Sequence, residues 1–187
     1  KDLVYACWLT RKEASSTLNA PHNHISQNAS LRVNDQELKN RKSLGLTPAW
    51  RLNIKNCLKY INSQKEKIYW EDIEQRKNLL NIDQFGDVII ARKDILTSYH
   101  LSVTVDDNSD GVTHIIRGND LESYTNIHRL LQVLLNLRET KWFHHKLIKD
   151  TNGKRIAKRS NSKLTIKELR ENGYPAKEVI KLAKSST

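Results

Sequence analysis

Residues 111 to 135 read GVTHIIRGNDLESYTNIHRLLQVLL. The first apolar run, Val112-Thr113-His114-Ile115-Ile116, is short and β-branched, which predicts a strand. Gly118-Asn119-Asp120 follows with the residue types of a turn and a helix N-cap. Ile127, Leu130, Leu131, Leu134 and Leu135 then recur at i, i+3, i+4, i+7 and i+8 and so share one helical face, to be laid on a sheet. A strand that turns directly into an amphipathic helix predicts an α/β fold.

Outward from this unit the chain falls into three stretches. Residues 1 to about 47 are rich in Ser, Asn and His and predict long loops with one or two short helices. From Trp50 to about Asp94, Trp50-Arg51-Leu52-Asn53-Ile54, Lys67-Ile68-Tyr69-Trp70 and Asp87-Val88-Ile89-Ile90-Ala91 read as strands of a small sheet. Leu101, Val103 and Val105 alternate with His100, Ser102 and Thr104, a period of two that argues for a strand. Near the end, Thr165 and Glu168 form a capping-box pair, Gly173 closes that helix, and Pro175 precedes a second one through Glu178-Val179-Ile180-Lys181-Leu182.

The 187 residues suffice for one ordinary domain with a buried core, alone or with a small insertion, and exclude a second large one. Lys and Arg number 32 against 21 Asp and Glu, with pI near 9.7, which favours a polyanionic partner. A basic pI also serves solubility. Here the charge is concentrated, because between 141 and 170 ten Lys and Arg face only Asp150 and Glu168, and RNA is the leading partner. Two cysteines, Cys7 and Cys57, make no disulfide framework and fit a reducing, cytoplasmic setting. No apolar run reaches the roughly 20 residues of a membrane helix, and no signal-peptide layout opens the chain. The sequence contains no Met and opens at Lys1, so a fragment or processed product is expected.

The ordered run Ala91-Arg92-Lys93-Asp94, Ser98-Tyr99-His100-Leu101, Val105-Asp106-Asp107 and Gly111 to Leu121 closely resembles the class I glutamyl-tRNA synthetases. Within that group it is most similar to the short paralogues, the glutamyl-Q tRNA(Asp) synthetases. The later run His144-His145-Lys146-Leu147-Ile148-Lys149-Asp150, continuing to Arg155-Ile156-Ala157-Lys158-Arg159, matches the same group, as do Leu3-Val4-Tyr5-Ala6-Cys7 and Thr10-Arg11-Lys12-Glu13.

This resemblance implies a fold: the C-terminal half of a class I Rossmann-like catalytic domain with a small inserted α+β subdomain. It places the inserted, degenerate zinc-type subdomain at 1–95, the second catalytic half at 96–150, and a KMSKS-like loop with closing helices at 151–187. It makes residues 100–105 helical, against the alternation noted above. It implies an ATP-dependent ligase, with Mg2+ accompanying ATP, that activates glutamate and transfers it to queuosine in the anticodon loop of tRNA(Asp). A monomer is expected.

The resemblance also implies roles. Arg155, Ala157, Lys158 and Arg159 form the ATP-binding KMSKS-like loop. Lys158 is the catalytic cation, stabilising charge on the α-phosphate and the departing pyrophosphate more in the transition state than in the ground state. Ala157 replaces the usual Ser, removing a hydroxyl and weakening loop order. Arg117 and Tyr99 contact glutamate. A guanidinium facing the side-chain carboxylate separates glutamate from glutamine, because an amide repays its desolvation less well. Asp106 and Asp107 match the family's paired acids and read as a helix-end turn without ligand contact.

Departures from the family pattern matter as well. The HIGH motif and the strand that carries it have no counterpart; Pro21-His22-Asn23-His24 lacks the glycine and follows no strand. On this resemblance the sequence starts midway through the catalytic domain, and the chain alone is expected to show no ATP–pyrophosphate exchange. The family's zinc ligands reduce to the lone remnant Cys7, since Cys7-Trp8-Leu9 replaces a Cys-x-Cys pair. No metal site is therefore expected, although Cys7, His22 and His24 could in principle form a replacement. Two other readings stay open: a truncated, non-catalytic tRNA-binding relative, or a fragment of an ordinary glutamyl-tRNA synthetase.

Overall fold

The computed structural model describes residues 2–10, 13, 33–64, 67–149 and 165–185. Among these residues, seven strands form two sheets. The first sheet is antiparallel: β1 (Val4–Cys7) and β5 (Val88–Ala91) flank β2 (Ala49–Leu52). The second runs in the order β4 (Lys77–Leu79), β3 (Tyr69–Asp72), β7 (Lys141–His145), β6 (His114–Gly118). Its β4–β3 edge is antiparallel, and β3, β7 and β6 run parallel. Helices α1 (Asp35–Ser43), α2 (Ile54–Ser63), α3 (Tyr99–Ser109), α4 (Thr125–Leu134), α5 (Ile166–Glu171) and α6 (Ala176–Ser185) complete the described chain.

The predicted strand–helix unit forms, with shifted boundaries. The strand β6 begins at His114, two residues later than Val112. Asp120 caps no helix, because Asn119–Leu121 makes a tight 3-10 turn and α4 starts only at Thr125. The apolar stripe of α4 is where its spacing put it: Ile127, Leu130 and Leu131 are buried and Leu134 packs against them, whereas Leu135 is exposed at the C-cap. From α4 the chain returns in β7 alongside β6, so β6–α4–β7 is a βαβ unit. Its parallel strands require such a helical crossover. The alternation from Leu101 to Val105 does not make a strand: residues 99–109 are helical, started by the Ser98 side chain accepting from the Leu101 N–H. The cap and the packing of α3 on α4 outweigh a five-residue pattern in which only Thr104 is fully buried.

Elsewhere the predicted strands shift or end sooner. Residues 49–52 form β2, but Ile54 opens a helix, capped by Asn53 accepting from the Asn56 N–H. Ile54, Cys57, Leu58 and Ile61 follow the helical i, i+3, i+4, i+7 spacing, and α2 buries Ile54, Cys57 and Ile61. The N-terminal stretch, read as loops and helices, contributes β1, whose Val4 to Cys7 pair with Leu52 to Ala49. At the other end, Thr165 and Glu168 exchange both capping-box bonds and Gly173 takes the left-handed φ of 80° that ends α5.

One core unites the two sides of position 95. Leu52, Ile54, Cys57, Ile61 and Ile82 pack with Ile127, Leu130 and Leu131, and β3 pairs with β7 across the same divide. Ile127 is 0% exposed at the centre of this cluster. Removing its side chain leaves a cavity between segments distant in sequence, so Ile127→Ala should destabilise the chain by about 2–5 kcal/mol, read from the urea midpoint of unfolding.

Candidate functional site

Arg117 is the penultimate residue of β6. Side chains alternate across a strand, and here Ile116 stands 70% exposed while Arg117 turns inward toward α3 and α4. The guanidinium meets acceptors from two further elements. Nη1 donates to His128 Nδ1 at 2.9 Å and Nη2 to Thr125 Oγ1 at 2.6 Å, both from α4. Nε donates to His144 Nε2 at 3.3 Å, from the residue that faces Arg117 in the β6–β7 register. The cation also lies 4.7 Å from the Trp142 ring, within cation–π range.

These bonds determine where the imidazole protons sit. Arginine can only donate, so His128 Nδ1 accepts and, in the neutral ring, Nε2 carries the proton. That N–H donates to His100 Nδ1 at 3.0 Å, which puts the His100 proton on its own Nε2. His144 Nε2 accepts from Arg117 and lies 2.9 Å from Thr125 Oγ1, so the Thr125 hydroxyl accepts from Arg117 and donates to His144, whose proton is on Nδ1. Trp142 stacks between the rings, 5.9 Å from His128 and 6.4 Å from His144.

The electrostatics follow from burial. Desolvation and the neighbouring Arg117 push His128 down to about 3 and His144 to about 4, and the same two causes lower His100. Each ring is thus held neutral near pH 7. Burial also lowers Arg117, offset by Tyr99, Asp107 and Asp120. Among the described residues no carboxylate makes an ion pair with Arg117.

Beside the guanidinium lies a cavity of about 220 Å³, lined in part by Tyr99, Asp107, Arg117, His128, Gln132 and Trp142. The structure therefore brings together Tyr99 and Arg117, the two residues that the sequence singled out for a small acidic ligand. Asp107 joins them. Its carboxyl is raised by partial burial and by Asp106 and Asp110 and lowered by Arg117, and it makes no ion pair among the described residues. It sits in the last turn of α3, where the helix dipole favours a cation. Arg117 and Asp107 are the charged groups that line this cavity.

Arg155, Ala157, Lys158 and Arg159 lie outside the described residues, as do His22 and His24. Cys7 is buried in β1 against Tyr5 and Leu9. Among the described residues no three of His, Cys, Asp and Glu are grouped so as to hold a metal ion. The residues that sequence reading passed over are His100, Thr125, His128, Trp142 and His144. A signal existed: Thr125, His128 and Gln132 share the helical face opposite the apolar stripe, and Trp142 and His144 share one face of β7.

The family model described as tRNA synthetases class I (E and Q), catalytic domain, matches residues 9–184. A glutamyl-Q tRNA(Asp) synthetase of Rhodobacter capsulatus is 50% identical over 91 residues, 49% of this chain and 33% of that protein. Glutamate–tRNA ligase 2 of Bartonella tribocorum is 29% identical over 179 residues, 93% of this chain and 39% of that protein. The chain spans 33% to 39% of the length of these two relatives. A glutamate tRNA ligase from Elizabethkingia meningosepticum, solved in complex with its amino acid, superposes with a TM-score of 0.61 at 19% identity, over 94% of this chain and 34% of that one, and shows the same fold.

Imidazoles pushed below their ordinary 6.5 bind fewer protons in the folded chain than in the unfolded one. The stability they contribute is complete above about pH 6.5 and is lost as pH falls through 4 toward 3. The thermal midpoint should therefore drop over this range. In His144→Gln, which keeps an acceptor near the Nε2 position but does not titrate, the drop should be shallower.

Proposed function

The chain belongs to the class I tRNA synthetases for glutamate and glutamine, and on that footing we propose that it serves ATP-dependent activation of glutamate for transfer to queuosine in the anticodon loop of tRNA(Asp). One observation carries the reading: a partly buried guanidinium with no carboxylate at ion-pair distance among the described residues lines a cavity of about 220 Å³ together with Tyr99 and Asp107. A cation left unneutralised inside a protein is stabilised when a ligand anion arrives. The side-chain carboxylate of glutamate fits Arg117, with Tyr99 beside it, and Asp107 with the end of α3 offers a seat for the ammonium group.

On this reading residues 1–95 are the inserted subdomain, 96–150 the second half of the catalytic domain and 151–187 the loop and closing helices, the first two sharing a sheet and a core. The α-carboxylate of glutamate attacks the α-phosphate of ATP and pyrophosphate leaves. Lys158, flanked by Arg155 and Arg159, meets the charge that builds on the phosphate and the leaving group. Mg2+ accompanies ATP. The basic run from Lys141 to Arg170 contacts tRNA phosphates, which positions the RNA without reading its bases. The second reading, glutamate–tRNA ligation itself, is favoured by the relative that matches 93% of the chain. In an enzyme that carries out activation, ATP–pyrophosphate exchange with glutamate divides them: the short paralogues activate without tRNA, and ordinary glutamyl enzymes require it.

Calorimetric titration should show the chain binding glutamate ahead of glutamine, and Arg117→Ala should weaken glutamate binding at least about tenfold while the fold persists. Equal binding of both amino acids by the unaltered chain would remove Arg117 from this role. In an enzyme that carries out activation, Lys158→Ala should slow adenylate formation more than it weakens glutamate binding, as pre-steady-state kinetics would reveal.

A further inference from the structure

The way Arg117 is held is itself informative. A guanidinium offers five N–H donors. Three are engaged, by His128, Thr125 and His144, and every one of those acceptors is neutral. Tyr99 adds a further side-chain interaction with the guanidinium, and an N–H not taken up in this way is open to a ligand oxygen. An aspartate or glutamate in place of any of the three would hold the arginine equally well and would neutralise it. A ligand carboxylate would then gain little over a carboxamide, because both would meet an ion pair already satisfied.

His128 is the member of the shell most constrained by its surroundings. It is 1% exposed. Its Nδ1 faces Arg117, its Nε2 faces His100 and its ring stacks on Trp142 at 5.9 Å with an interplanar angle of 21°. Tyr99, which lines the same cavity, meets its edge at 5.9 Å. The ring can neither turn nor flip without breaking one of these contacts, and the bond to His100 dictates the tautomer that presents a bare Nδ1 to the guanidinium.

We propose that His128 is a positioning residue that sets the preference of this cavity for a carboxylate over a carboxamide, by aiming Arg117 through a neutral acceptor and so leaving its charge available to the ligand. The inference rests on the carboxylate reading of the cavity given above and adds to it the group that enforces the choice. A carboxamide carries no charge to answer the cation, and its NH2 can meet the guanidinium only donor against donor.

Two substitutions and one spectrum test it on the 187-residue chain. His128→Asp places an anion where Nδ1 lies; glutamate affinity should fall at least about tenfold and the preference over glutamine should collapse. His128→Asn places a neutral amide oxygen at the same point, and the preference should survive within about threefold. If His128→Asp keeps the full preference, or His128→Asn loses it as completely, the proposal is overturned. Long-range 1H–15N imidazole spectra of the unaltered chain at neutral pH should show His128 protonated on Nε2 and His144 on Nδ1. A protonated His128 Nδ1 would overturn the proposal without any ligand and whether or not the variants fold. If the tautomers are as derived but neither amino acid binds, it is the glutamate reading that falls, while the neutral hold on Arg117 stands.

Discussion

A cation taken out of water must find acceptors, and the second sheet is arranged around that demand at Arg117. The guanidinium is partly buried at the end of β6, and its three bonds reach α4 and β7. Neutral acceptors take three of its N–H bonds without neutralising the charge. Such an arrangement is costly to keep in a folded protein unless something else answers the cation, and the carboxylate of the proposed ligand would do so from the cavity beside it.

The unit β6–α4–β7 supplies nearly all of this, and α4 does so by presenting two faces. Ile127, Leu130, Leu131 and Leu134 pack on Leu52, Ile54 and Cys57 and anchor the helix to segments far away in the chain. Thr125, His128 and Gln132 lie on the opposite face and turn toward Arg117 and the cavity. Fixing one face fixes the other, so the hydrophobic contacts of α4 set the positions of the Arg117 acceptors. Gly118 completes the unit. A β-carbon there would come within 2.9 Å of Leu147 Cδ2 and 2.5 Å of Asp120 Oδ1, so the absence of a side chain lets β6 end tightly against the following turn.

Much of this was legible in the residues. The stripe of α4, the strand carrying Arg117, the capping box at Thr165 and the pairing of Tyr99 with Arg117 all followed from spacing or from family resemblance, because each depends on neighbours within a few residues or on an ordered set of motifs. The helix α2 was not, since Trp50 to Ile54 looks like a strand until Asn53 is recognised as a cap. Nor was β1, whose four residues are specified chiefly by their partner β2. The imidazole shell was hidden for a deeper reason. His100, His128 and His144 are separated by 28 and 16 residues, and none announces by local pattern that all three converge on one arginine or its neighbours.

The sequence by itself determined the elements whose information is local: where α4 turns its apolar face, where α5 begins, and which arginine closes a strand before a helix. Only the tertiary structure decided what that arginine touches, because parallel pairing sets His144 beside it and the packing of α4 carries Thr125 and His128 over it. Proton positions on three imidazoles then follow from a donor that cannot accept, a constraint that exists only once the chain has brought the groups within 3.3 Å.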